Sequence, residues 1–135
     1  MMLENSLTQG IIETESGPIP VRDLSYFLYH FRAVYVEALN YSQEHQIHGL
    51  PREAVISKIA KEMVLELAKK GRQGITKNAL ANLLPEEELA INKISRRNPL
   101  DVLFTGVALA IAVAVIISGG EIKVDEDGLK GRIQI

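Results

Sequence analysis

An uncharged stretch near the C-terminus constrains this chain more than any other feature. From Val102 to Gly120 no residue ionises, and its centre reads Val107-Ala-Leu-Ala-Ile-Ala-Val-Ala-Val-Ile-Ile117. Read as one helix it has no polar face, so it must be buried on every side, in protein or in lipid. Such a helix would extend roughly 28 Å at about 1.5 Å per residue, close to the apolar thickness of a bilayer. Asn98-Pro99-Leu100-Asp101 supplies a start, with Asn as cap, Pro in the first turn and Asp at the third position, and Gly119-Gly120 ends it.

Two readings follow. In the first the helix crosses a membrane. Lys93, Arg96 and Arg97 form a basic leading flank, as on the cytoplasmic side of a span, with Arg96 and Arg97 at the headgroups and Asn98 and Pro99 setting the helix start. Gly106, Ala108 and Ala112 then offer small surfaces for the approach of another helix. In the second reading the same helix is the central element of a soluble core, under a small sheet. Length and flank favour the membrane.

The 135 residues suit one domain long enough to bury a core without covalent staples. Along them we distinguish an N-terminal α+β part over 1–97, the apolar helix over 98–120 and a C-terminal β-hairpin over 121–135. The absence of cysteine excludes disulfides, zinc–thiolate sites and thiol chemistry. A net charge of −2 gives no global attraction to nucleic acid or anionic lipid. Met-Met-Leu-Glu-Asn at the start lacks the basic and apolar regions of a secretory signal, so the N-terminus is expected in the cytoplasm.

The expected class is α+β: two amphipathic helices, one long apolar helix and short terminal hairpins. Gly10 to Val21 has two apolar pieces around Ser16-Gly17-Pro18, a turn signal, with Pro18 and Pro20 confining the second strand to an edge. Asp23 is expected to cap a helix reaching about Ser42, its apolar face including Leu24, Phe27, Leu28, Phe31, Val34 and Tyr35. Six of the seven aromatic residues lie between Tyr26 and Tyr41, which marks this helix as the main packing surface of the N-terminal half. Val55, Ile59, Met63 and Leu67 stripe a second helix that Gly71 should stop. Thr76 is placed to cap a short third helix, Lys77 to Leu84, and Leu89 to Ser95 has the imperfect alternation of a strand. Glu121–Asp125 and Leu129–Ile135 around Asp127-Gly128 read as a hairpin. Its apolar end requires a pairing partner, either the Gly10–Val21 hairpin or a neighbouring copy.

No motif points to an enzyme or a cofactor. His45-x-x-His48 lacks further ligands and reads as polar loop residues, and His30 as a surface or half-buried residue. The rhythm from Val55 through Gly71–Gly74 to Leu84 resembles a winged helix-turn-helix. However, Pro85-Glu-Glu-Glu88 would repel phosphates, so nucleic acid is disfavoured. Tyr26, Tyr29 and Tyr41 fall off the core stripe and are candidates for a partner surface. The expectation is a non-enzymatic, membrane-associated protein, N-terminus inside, assembling with its own protomers or a protein partner. The alternative is a cytoplasmic adaptor or regulatory module of α+β class, open to homo-oligomerisation.

Overall fold

In the computed structural model, which describes residues 5–13, 18–95, 100–126 and 128–135, the apolar run folds as two elements. The order along the chain is β1 (Asn5–Glu13), α1 (Val21–Glu44), α2 (Glu53–Ala79), β2 (Ala90–Ser95), β3 (Leu100–Val107), α3 (Ala108–Ile117), β4 (Glu121–Asp125) and β5 (Gly128–Gln134). The strands form one sheet in the order β2-β3-β1-β5-β4. At its centre β1 pairs antiparallel with β3, from Asn5↔Val107 to Ile12↔Leu100, and parallel with β5, from Gln9↔Lys130 to Glu13↔Gln134. The outer pairs β2–β3 and β4–β5 are antiparallel.

This arrangement overturns the long apolar helix. Leu100, Val102 and Phe104 are buried and alternate with half-exposed Asp101, Leu103 and Thr105, the period of two that a strand imposes. Asp101, expected in a first helical turn, lies in β3 opposite Ile11. Helix begins only at Ala108, and its ten residues extend about 15 Å, half of what a bilayer requires. Among the described residues no helix is long and apolar enough to cross a membrane. The transmembrane span is therefore withdrawn. Arg96, Arg97, Asn98 and Pro99, invoked for its flank and start, lie outside the described residues.

The terminal hairpins are likewise replaced by one sheet. β1 is flanked by β3 and β5, so neither of its edges is left for a local hairpin partner. Pro18 and Pro20 have no N–H to give a ladder, and Pro20 (φ −57°) leads the chain into α1 instead. Residues 14–17, the expected turn, lie outside the described residues. β4 and β5 do pair with each other, but as the last two strands of the sheet. The second helix also differs from expectation. Gly71 breaks it with φ 65° and ψ −160°, after which helix resumes and ends at Ala79, where a separate helix to Leu84 was expected.

The uniform apolarity of α3 explains its position. Ala110 to Ala114 are wholly buried, with α1 and α2 on one side and β1, β3, β4 and β5 on the other. Glycines let the sheet come close. A Cβ on Gly131 would stand 3.1 Å from Val115, and one on Gly120 would stand 2.4 Å from the Arg132 carbonyl oxygen. From α1, Phe31 stacks on Phe104 of β3 with ring centres 5.3 Å apart. Because the contact at Gly120 is with backbone, Gly120→Ala is expected to lower stability by about 1–3 kcal/mol, measured as a fall in the urea midpoint with an unchanged slope.

Candidate functional site

Polar side chains on α1 fix the irregular segment between α2 and β2. Arg32 donates to both carboxylate oxygens of Glu88, at 3.0 and 2.9 Å, and to the carbonyls of Ala79 (2.7 Å) and Ala81 (2.8 Å). A helix end leaves such carbonyls without partners, and the guanidinium supplies the missing donors. Fully buried Tyr35 donates to the Glu87 carbonyl and accepts the Val107 N–H at 2.9 Å. Burial pushes its phenol up to about 12, against the opposing pull of the Val107 N–H. Gln43 donates to the Glu87 carboxylate. Together these bonds set where β2 begins.

Between α1 and α2 lies a polar cleft of about 690 Å³, lined by Glu37, Asn40, Tyr41, Glu62 and Lys70 among others. Glu37 is only 7 % exposed. Its two oxygens accept from Lys70 Nζ at 2.7 and 2.8 Å, and Oε1 also accepts from Asn78 Nδ2 at 2.9 Å. Tyr41 donates to Glu62 and stacks on His45, ring centres 4.0 Å apart. The bond to Glu62 is the main reason its phenol is pushed up to about 12. A recess of about 420 Å³ shares Asn40 and Lys70 and adds Gln73 and Lys77. The buried carboxylate is thus satisfied by the protein itself. Among the described residues no three His, Asp or Glu side chains are grouped to hold a metal ion.

The residues singled out from sequence are dispersed. Tyr26 and Tyr29 flank His30, with ring centres at 4.3 and 5.4 Å, beside a recess of about 380 Å³ that reaches Ser118 and Ile135. Tyr41 lies about four helical turns further along α1, in the polar cleft. Gly106 is buried in β3, where a Cβ would stand 2.9 Å from the Tyr35 hydroxyl. Its small size seats that ring. Ala108 and Ala112 are buried in α3.

A different surface stands out at the β2 edge. Ile91 pairs with Phe104 and Ile94 with Val102, both core residues of β3. Side chains directly opposite in a ladder share a face, so both isoleucines lie on the helix side of the sheet. Yet Ile91 is 40 % and Ile94 50 % exposed, because the helical layer stops short of them. Leu80 and Leu84, from the segment leading into β2, are exposed as well. Sequence reading missed this surface. The one available signal was the faulty alternation, which the structure resolves as a register shift between Ile91 and Lys93.

No protein-family model, no curated protein and no solved structure matches the chain.

Tyr35→Phe removes the acceptor for the buried Val107 N–H and should cost about 1–3 kcal/mol. The phenol of Tyr35 ionises less readily in the folded chain, so its contribution is complete below pH 10 and is lost as pH rises from 10 toward 12. Urea unfolding across that interval should show a shallower decline in the variant than in the parent. The decline does not vanish, because Tyr41 titrates late as well.

Proposed function

We propose that this chain is a non-enzymatic interaction module that docks a protein partner at the β2 edge. The observation that carries the reading is the half-exposed pair Ile91 and Ile94 on the core side of an edge strand. Covering such side chains is favourable by about 25 cal/mol for each Å² of apolar area removed from water. The outer edge of β2 also carries the backbone donors and acceptors through which an added strand is held.

The polar features elsewhere support binding of protein over chemistry. In the α1–α2 cleft the acidic and basic groups Glu37 and Lys70 neutralise each other, and Arg32 is committed to Glu88 and backbone carbonyls. The reading requires no cofactor. The net charge of −2 gives no global attraction to nucleic acid, which favours a protein as the partner.

A photo-crosslinking amino acid placed at Ile94, in cells expressing the full chain, is expected to give a discrete protein adduct. The same group at Lys58, exposed on α2, should give none. Absence of an adduct at Ile94, or an identical adduct pattern from both positions, overturns the reading.

A further inference from the structure

We infer that the partner is a second copy of this chain, joined by antiparallel pairing of the two β2 strands about a two-fold axis, so that two five-stranded sheets become one of ten. This inference rests on the docking role of β2 and names its occupant. The register with β3 carries the argument. Ala90 is opposite Thr105 and Ser95 opposite Asp101, both on the open face of the sheet, whereas Ile91 and Ile94 sit opposite core residues. At the register shift Asn92 is the additional residue, and it shares Leu103 with Lys93, two residues facing one. The strand therefore presents its side chains in the order open, core, open, open, core, open. That order reads the same in both directions, with its centre between Asn92 and Lys93.

Regular alternation would not allow this. Residues three apart in a regular strand point to opposite faces, so an unbulged β2 would set Ile91 of one copy against a side chain facing the other way. With the extra residue, a two-fold placed at the centre puts Ile91 opposite Ile94 of the second copy, both on the helix side. Residue types match as well. Ala90 meets Ser95, both small, and Lys93 meets Asn92, whose amide oxygen accepts from the ammonium without setting like charges opposite each other. Sliding the pair by one residue would oppose an isoleucine to Asn92 or Lys93. A bulge and a lysine usually guard an edge against foreign strands. Here the same two devices leave the edge complementary to its own copy. The contact is isologous, so it uses up β2 in both copies and closes at two.

The chain contains no cysteine, so Ile91→Cys and Ile94→Cys can be made separately, with no other thiol in the protein. Mild oxidation of their equimolar mixture should give a covalent dimer on a non-reducing gel. Either variant alone should not, because like positions stand about 10 Å apart along the strands and a disulfide needs Cα atoms within about 7 Å. The parent chain should sediment at twice its 14.9 kDa mass. Ile94→Lys should sediment at the single mass with an unchanged circular dichroism spectrum. Equal cross-linking of the single variants and the mixture overturns the proposed register. A parent that stays monomeric at high micromolar concentration overturns self-pairing. If Ile94 in cells then captures a protein of different mass, the docking role of β2 survives; if it captures nothing, both fall together.

Discussion

The enclosure of α3 is the constraint on which the rest of the structure depends. Eight consecutive residues, Ala108 to Val115, are buried, and the helix has no side that tolerates water. A surface helix needs one neighbouring layer, but this one needs neighbours all round. The sheet supplies the floor, and it can do so because Gly120 and Gly131 leave room for Val115. α1 and α2 supply the roof, with Tyr35, Leu39, Ile56 and Met63 all fully buried. Two long amphipathic helices on one side of a sheet are the consequence of a third helix beneath them.

The roof has limited breadth, and that defines the candidate site. α1 reaches the sheet through Phe31 over Phe104 and through Tyr35 at Val107, both on β3. Arg32 and Tyr35 then draw the segment after α2 down to the start of β2. β2 is thereby held at the margin of the sheet, beyond the cover of the helices. The polar network of α1 is thus structural in its bonding, and its effect is to present an apolar strand edge at a fixed place.

Much of the helical layer was legible. The stripes of α1 and α2 and the Gly71 interruption follow from side-chain spacing, whereas Gly128, expected in the turn, is the first residue of β5 and pairs with Asp125, and Asp127 lies outside the described residues. The switch from strand to helix at Val107–Ala108 was not read, because an apolar run of mixed Val, Ile, Leu and Ala satisfies both conformations when every side is buried. The alternation of Leu100, Val102 and Phe104 with Asp101 and Thr105 was the signal present. It lost to the expectation that Asn98-Pro99 begins a helix. The N-terminal hairpin failed for a different reason: the partners of β1 lie some ninety and more than one hundred residues away, and local turn chemistry carries no information about them. The exposed pair Ile91 and Ile94 was hidden by the register shift in β2, which removed the regular alternation that identifies a buried face.

The parallel pairing of β1 with β5 has a consequence for how the fold is reached. Gln9 and Lys130 are neighbours in the sheet but lie near opposite ends of the chain. The entropic cost of closing such a loop rises only slowly with its length, but the closure must precede the contacts that reward it, which makes non-local sheets slow to form. Until β5 docks, β1 has one edge unpaired and α3 lacks part of its floor. In chain order the most apolar segment precedes β5, which completes its cover. The same strand supplies the second neighbour of β1, so residues 100–117 stay incompletely covered until it docks.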